Sequence, residues 1–416
     1  MKKNAFYAQS GGVTSVINAT ASALILEARK HKNIGKIFAG KNGIIGALNE
    51  DLIDTSKESI SAIESLQSRA GGAFGSCRFK LKDFESNKEE YKRLIEVFKA
   101  HNIGYFFYNG GNDSADTAFK VSQISKKLNY PINCIAIPKT VDNDLVLTDC
   151  CPGFGSAAKY IATSTMEASL DVKSMAATST KVFILEVMGR HAGWMAASSS
   201  LARKNKGDAP HIILLPEIIF NQKKFLDQVK KTVSINGYCV VVASEGLKNN
   251  KNKFLAEADT KDAFGHAQLG GVAPYIANLI TDRLKIKNHW AVSDYLQRSA
   301  RHISSKTDLD QAMEVGIKAI QYAVKGMNGV MPIIIRGKGK KYTWKIEPAP
   351  LSKIANLEKK LPKSYISKNG MDVTPKAVEY LKPLIQGESF PEFKNGIPEI
   401  KDLKLVEAKK KLGPWT

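Results

Sequence analysis

The chain has 416 residues, 43% of them hydrophobic, so it can bury one large core or two of medium size, and we expect two domains. The formal net charge of +21 suits nucleic acid, a membrane surface or anionic substrates as partners. No apolar run reaches the ~18 residues of a membrane span, and the N-terminus lacks a long apolar stretch of the signal-peptide kind. We therefore expect a cytoplasmic protein that does not contact membranes.

The cysteines and lysines exclude further kinds of site and binding partner. Five cysteines are an odd number and show no Cys-x-x-Cys spacing, so we expect reduced thiols and neither a disulfide framework nor a zinc site. The lysines are spread in short groups, without a recognisable nucleic-acid-binding motif. We expect no nucleic-acid partner, although a basic nucleic-acid-binding protein stays open as an alternative.

The N-terminal part predicts a strand, a glycine turn and a helix in succession. Residues 5–8 form an apolar strand pattern, Gly11 and Gly12 make the turn, and residues 16–29 have a helical pattern. Backbone N–H groups at a helix start favour anions. A second strand and loop are expected around residues 40–46, and the next glycine-rich loop ends in Arg78, a residue type that clamps oxyanions.

The same succession recurs along the chain. A strand pattern at residues 103–108 leads into Gly110-Gly111-Asn112-Asp113 and then into a helical pattern at residues 115–128. Further strand patterns occupy residues 132–138, 181–186, 211–215 and 238–244. This alternation predicts an α/β fold with mostly parallel sheets covered on both faces, that is, a doubly wound architecture.

One loop combines the groups needed for phosphoryl transfer. The buried-strand pattern that begins at Ile135 stops at Pro138, which cannot donate to a sheet ladder, and Lys139, Asp142 and Asp144 follow. Ligands bind at this edge of open α/β sheets. A carboxylate can accept the proton of an attacking hydroxyl, and a fixed cation can stabilise the migrating phosphoryl group. A solvated turn is the alternative.

Three later polar loops suit a sugar phosphate, because arginines grip phosphate oxygens and carboxylates accept from hydroxyls. They contain Met188-Gly189-Arg190, Glu245 and Tyr295-Leu296-Gln297-Arg298. Surface salt bridges are the alternative for each loop. Beyond them we expect a hairpin turn at residues 338–341 and a helix at 374–385. We expect residues 336–416 to be an extension that packs on the domains or forms a dimer contact, without a chemical role.

Taken together, these loops resemble the phosphofructokinase family, whose motif order they follow from residue 4 to about residue 335. The resemblance implies two doubly wound domains. Residues 1–150, joined by part of the C-terminal half, would hold the phosphoryl donor, and residues 151–335 would hold the sugar phosphate. It also implies transfer to the 1-hydroxyl of fructose 6-phosphate, with Mg²⁺ as cofactor and a homodimer or homotetramer as the active form.

The resemblance also implies residue roles, with Asp142 as base and Lys139 as the catalytic cation. The sugar phosphate would be held by Thr140, Val141, Met188, Gly189, Arg190, Glu245, Tyr295 and Arg298, and by Lys181 across a subunit interface. The donor would be held by Gly11, Gly12, Arg78 and Asp113. Asn112 stands where the family usually has a carboxylate on the metal side, so Asn112, Asp113, Asp144 or a water is left as the metal ligand.

Two positions indicate the donor. The family's ATP users typically have glycine at both positions, whereas this sequence has Asp113 and Lys139 and resembles the pyrophosphate-dependent branch. A carboxylate adds bulk and like charge where a nucleotide α-phosphate would lie, and the lysine supplies positive charge to a pyrophosphate donor. The alternatives are an ATP-dependent phosphofructokinase and, more remotely, an NAD- or lipid-kinase-like enzyme.

Overall fold

The computed structural model describes residues 2–261 and 267–415. The strands are β1 Lys3–Ser10, β2 Ile34–Gly40, β3 Leu52–Asp54, β4 Ser76–Cys77, β5 Ile103–Gly110, β6 Asn133–Pro138, β7 Val182–Val187, β8 Ile212–Leu214, β9 Cys239–Ser244, β10 Glu257–Lys261, β11 Ala267–Leu269, β12 Asn288–Val292, β13 Val330–Arg336, β14 Trp344–Pro350, β15 Phe393–Lys394 and β16 Ile397–Pro398. The α-helices are α1 Ile17–Arg29, α2 Ile44–Leu48, α3 Ile60–Ser65, α4 Lys88–Ala100, α5 Asn112–Lys127, α6 Phe154–Met175, α7 Trp194–Ser198, α8 Gln222–Asn236, α9 Val272–Leu284, α10 Leu296–Ser299, α11 Lys306–Val324 and α12 Pro375–Leu381.

The first sheet has the strand order β14-β13-β6-β5-β1-β2-β3, with β4 paired to the end of β1. Its inner strands are parallel, whereas β3 and β14 pair antiparallel at the two edges. Both β1 and β5 are buried along most of their length, as expected for strands covered by helices on both faces. Strands β13 and β14 bring part of the C-terminal half back to this sheet.

The second sheet is smaller and entirely parallel, in the order β12-β7-β9-β8. Every residue of β9 is buried. The largest apolar core joins the two sheets, since it contains Tyr7 and Phe107 of the first sheet and Leu185 and Val242 of the second. The loops at the carboxyl ends of both sheets therefore belong to one packed molecule.

The mostly parallel α/β fold expected from the sequence is confirmed. All five cysteines are buried and free, as expected. Across the described residues, no helix combines the length and the apolarity that crossing a bilayer requires. The division into two domains at residue 150 stays a prediction.

Three element boundaries differ from the expectation. The loop expected after residue 40 contains a short helix, α2. Helix α5 begins at Asn112 and not at residue 115, so Asn112 and Asp113 lie in its first turn. The helix expected over residues 374–385 ends at Leu381 and continues as a 3₁₀ turn, because Pro383 lacks the N–H that another α-helical bond would need.

Candidate active site

A cavity of about 1050 Å³ lies where loops from both sheets meet. The loops after β1, β5, β6, β7, β9 and β12 all contribute to its wall, so the carboxyl ends of both sheets face it, as in other open α/β sheets. Of the residues proposed from the sequence, those that line the cavity are Gly11, Gly12, Arg78, Asn112, Asp113, Lys139, Thr140, Val141, Asp142, Asp144, Met188, Arg190, Glu245, Tyr295 and Arg298.

The loop after β6 holds its polar groups through local hydrogen bonds. The backbone N–H of Lys139 donates to Gly110 O (3.1 Å), and the N–H of Asp142 donates to Thr140 Oγ1 (3.1 Å). Asn143 has φ 53, a left-handed conformation that asparagine tolerates better than most residues. Its buried amide accepts from Cys151 N (3.0 Å) and donates to Tyr380 Oη (3.1 Å). The loop is thus fixed on the side away from the cavity.

The charged groups of this loop are shielded from solvent to different degrees, since Lys139 is buried whereas Asp142 and Asp144 are half-buried. Lys139 is 4% exposed, and its Nζ donates to Gly12 O at 2.7 Å. Burial, with the neighbouring Arg298 and Arg78, lowers the pKa of Lys139 to about 7. Burial also raises the pKa of Asp142, and the neighbouring charge of Glu245 acts in the same direction. A buried carboxylate with a raised pKa is a better proton acceptor than an exposed one.

The wall formed by the loops after β1, β4 and β5 is the one that the sequence assigns to the phosphoryl donor, and it is called the donor side below. A Cβ on Gly12 would lie 2.1 Å from Arg298 Nη1, so glycine at this position lets that guanidinium approach the backbone. On the same side, Asp113 Oδ1 lies 2.6 Å from Lys80 Nζ. Its carboxylate therefore stands at the start of α5 with a cation beside it.

The opposite wall carries groups suited to a sugar phosphate. The N–H of Gly189 donates to Glu245 Oε1 (3.3 Å), and the N–H of Met188 donates to the buried Gln297 (3.2 Å). Gly189 itself is not on the cavity wall but supports it through this bond. The guanidinium of Arg298 lies 3.9 Å from the centre of the Tyr295 ring, a cation–π contact that orients the arginine.

The carboxylates of the cavity fit a Mg²⁺ ion that takes few protein ligands. Within residues 2–261 and 267–415, no three His, Cys, Asp or Glu side chains are grouped as a metal cage. Asp144 nevertheless presents a carboxylate to the cavity beside Asp142, and Mg²⁺ in phosphoryl-transfer sites typically uses one or two carboxylates plus phosphate oxygens and water. The amide of Asn112, by contrast, is engaged by Asn356 N and Leu357 O.

Lys181 lies outside this cavity. It directly precedes β7, whereas the cavity is formed at the other end of that strand, from Glu186 onward. At ~3.3 Å per residue, Lys181 and Glu186 are separated by roughly 17 Å. Its expected contact with sugar phosphate could therefore only be made to the site of a neighbouring subunit.

Comparison with known proteins identifies the family of this chain. The family model described as Phosphofructokinase matches residues 4–323, which is more than half of the chain. This chain belongs to the phosphofructokinase family. A relative from Halomonas elongata named pyrophosphate--fructose 6-phosphate 1-phosphotransferase is 57% identical over 410 residues, covering 98% of each chain.

Two solved structures of family members have the same fold. The crystal structure of a pyrophosphate-dependent phosphofructokinase from Marinobacter aquaeolei is 57% identical, with a TM-score of 0.91 and coverage of 99% of both chains. The corresponding structure from Nitrosospira multiformis is 56% identical, with a TM-score of 0.93 and full coverage of both chains. The resemblance inferred from the motifs is therefore confirmed for the whole chain.

Several lining residues of this family member were missed by sequence reasoning. Lys80 lies two positions after Arg78, so extending the basic loop would have found it. Glu186 is the penultimate residue of β7 and accepts from Gly271 N and Ala273 N at the start of α9. The C-terminal extension, expected to have no chemical role, also contributes to the wall, through Asn356, Leu357, Glu358 and Lys360.

Proposed function

We propose that this chain transfers a phosphoryl group from pyrophosphate to the 1-hydroxyl of fructose 6-phosphate, giving fructose 1,6-bisphosphate and phosphate in a reversible reaction. The observation that carries the proposal is the combination of Lys139 and Asp142 in the cavity with 57% identity to a full-length relative of that name. An ATP-dependent enzyme is the less favoured reading.

Asp142 serves as the base in this proposal. As the 1-hydroxyl oxygen attacks the terminal phosphorus, its proton moves to the Asp142 carboxylate, and the bond between that phosphorus and the bridging oxygen breaks. The second phosphoryl group leaves as phosphate with the bond's electron pair. Burial, which raises the pKa of Asp142, favours proton acceptance at this position.

Lys139 serves as the fixed cation. Burial and the neighbouring Arg298 and Arg78 disfavour its charge, which is why its pKa falls to about 7. A polyanionic donor reverses the sign of the local field and favours the ammonium form. The charge is then present when donor is bound, and it can stabilise the phosphoryl group in transit.

The donor side supports pyrophosphate over a nucleotide. Asp113 adds a carboxylate to the first turn of α5, where a helix start would otherwise favour phosphate. Its pairing with Lys80 holds the carboxylate in place, so a nucleotide's additional phosphate and adenosine meet bulk and like charge. Pyrophosphate has no additional phosphate or adenosine to place, and Gly11, Gly12 and Arg78 would bind it.

The opposite wall would hold fructose 6-phosphate. Arginine guanidinium groups bind phosphate oxygens in pairs, and Glu245 can accept from sugar hydroxyls. The proposed contacts are those of Thr140, Val141, Met188, Gly189, Arg190, Glu245, Tyr295 and Arg298. Lys181 would serve a neighbouring subunit's site, which makes a homodimer or homotetramer the proposed active form.

Mg²⁺ completes the proposal, with Asp144 as its protein ligand. When bound, the ion would supply positive charge that neutralises the charge of the donor. We also propose a cytoplasmic location, where both substrates would be met in solution.

Initial rates with fructose 6-phosphate, Mg²⁺ and either donor test the proposal. We expect turnover with pyrophosphate at least 100-fold faster than with ATP at equal concentration. Equal or faster turnover with ATP would refute the donor assignment, and no turnover with either donor would refute the function. An assay with NAD and Mg²⁺-ATP tests the remaining alternative, an NAD-kinase-like enzyme, and we expect no turnover.

A further inference from the structure

Residues 356–361, called the strap below, cross the cavity between the two sheets. Ile354, just before the strap, is buried in an apolar core of the first sheet, and Leu361 at its end is buried in the core that joins both sheets. Between these anchors Asn356, Leu357, Glu358 and Lys360 line the cavity, where Leu357 is 50% exposed. The strap lies beyond residues 4–323, the range matched by the family model, so family membership assigns it no role.

One end of the strap is clamped to the start of α5. Asn112 Oδ1 accepts from Asn356 N at 2.7 Å, and Asn112 Nδ2 donates to Leu357 O at 2.6 Å. The two backbone partners fix the amide orientation, because only one arrangement pairs a donor with an acceptor at both atoms. Asn356 also donates from its side chain to Asp116 Oδ1 at 3.0 Å.

The middle of the strap is bonded to the loop that carries the proposed base. The N–H of Lys359 donates to Asp144 O. Its Nζ donates to Thr148 O (3.0 Å) and Asp149 O (2.9 Å). These bonds tie the strap to residues 144–149 and so limit how far the loop can move.

The far end is attached to the second sheet. Trp194 Nε1 donates to Lys359 O at 3.0 Å. Glu217 Oε1 accepts from both Leu361 N and Gly193 N at 2.9 Å. Three consecutive stretches of the strap thus bind the start of α5, the loop of Asp142, and Trp194 and Glu217 beside the second sheet.

We propose that the strap is a positioning element of the active site. It closes the donor side beside Asp113 and holds the loop that bears Asp142, and Asn112 is the clamp that fixes the strap and not a metal ligand. The inference rests on the proposed function, since it names residues that act on the same reaction. Asn112 and Lys359 act through the groups they hold and are positioning residues.

Two variants test the two ends separately. Asn112→Asp keeps an acceptor for Asn356 N but sets an oxygen against Leu357 O, so the donor wall opens. We expect the KM for pyrophosphate to rise about tenfold. Lys359→Met removes the three Nζ bonds to the loop, which go to Asn143 Oδ1, Thr148 O and Asp149 O, and we expect kcat to fall about tenfold. In both variants the KM for fructose 6-phosphate should change less than twofold. Lys353→Met, an exposed lysine just before the strap, is the matched control and should equal wild type.

A second readout does not depend on turnover or metal. In metal-free protein, hydrogen–deuterium exchange of the peptide that covers residues 355–361 should be at least tenfold faster in Asn112→Asp than in wild type. Exchange in α11, which is remote from the strap, should stay unchanged and shows that the variant is folded. If Asn112→Asp does not fold, Lys359→Met carries the same exchange test.

The possible results distinguish a failure of the proposed function from a failure of the inference about the strap. A wild type that does not use pyrophosphate refutes the function. If wild type is active, unchanged kinetics and unchanged exchange in both variants refute the strap. If Asn112→Asp lowers the Mg²⁺ concentration needed for half-maximal rate while the strap exchanges as in wild type, Asn112 is a metal-side residue and the clamp assignment is wrong.

Discussion

Asp142 has the most demanding proposed role of any single residue in this site, because the hydroxyl proton must leave as the phosphorus–oxygen bond forms. We expect Asp142→Asn to lower kcat by roughly 10² to 10⁴, since the amide keeps the shape but cannot accept the proton. Fructose 6-phosphate binding, measured by calorimetry, should change little. A loss of less than tenfold would show that another group takes the proton.

Donor choice also belongs to single residues. In the double variant Asp113→Gly with Lys139→Gly, the carboxylate beside Lys80 and the cation on Gly12 O are both removed. We expect measurable ATP turnover to appear and pyrophosphate turnover to fall at least 100-fold, because the obstruction and the donor's counter-charge are lost together. Both rates are measured at saturating fructose 6-phosphate. Unchanged donor preference would contradict the steric and charge explanation.

At the scale of elements, the turn between β1 and α1 meets the segment after β12. The Cβ added by Gly12→Ala would lie 2.1 Å from Arg298 Nη1. Because the arginine side chain is the flexible partner, its guanidinium must move away. We expect Gly12→Ala to raise the KM for fructose 6-phosphate about tenfold with less than ~1 kcal/mol change in the free energy of unfolding. Gly413→Ala, with no atom within 4 Å of its added Cβ, is the control. A stability loss above ~3 kcal/mol without a KM change would contradict this reading.

The loops after the strands were predictable and the strap was not, for a physical reason. Gly12, Pro138 and the residues that follow them mark strand ends through backbone restrictions, which are local and visible in sequence. The strap has no periodicity, and its clamp joins Asn112 to Leu357, 245 positions apart. Such pairing depends on the return of β13 and β14 to the first sheet, and no local pattern encodes it.

The helix boundaries also show where sequence patterns stop predicting structure, here between residues that are close in the chain. The start of α5 was expected at residue 115, because the apolar pattern begins there, yet Asn112 and Asp113 are already helical. Their polar side chains belong to the cavity and carry no amphipathic signal. The helix expected from residue 374 starts where the sequence predicts but ends at Leu381, because Pro383 cannot donate the next helical hydrogen bond although the residues around it are apolar.

At the scale of the whole molecule, stability should depend on pH through His211. Its Nδ1 accepts from Val240 N, and burial, with Arg203 nearby, lowers the pKa of His211 to about 4. The unfolded chain, with a pKa near 6.5, binds the proton more readily between these values, so stability falls as pH drops below about 6.5.

We expect the free energy of unfolding in urea to be about 1 to 2 kcal/mol smaller at pH 5 than at pH 7 from this residue, after discounting for its partial exposure. His211→Asn keeps an acceptor for Val240 N and should remove that part of the pH dependence. Identical pH dependence in wild type and His211→Asn would contradict the assignment.

The central claim is that the cavity accepts pyrophosphate where related enzymes accept a nucleotide. Phosphorus NMR of one sample that contains fructose 6-phosphate, Mg²⁺ and equal pyrophosphate and ATP tests it most directly. We expect the pyrophosphate signal to decline as phosphate and fructose 1,6-bisphosphate appear, with the ATP signals unchanged. Conversion of ATP to ADP while pyrophosphate persists would contradict the account.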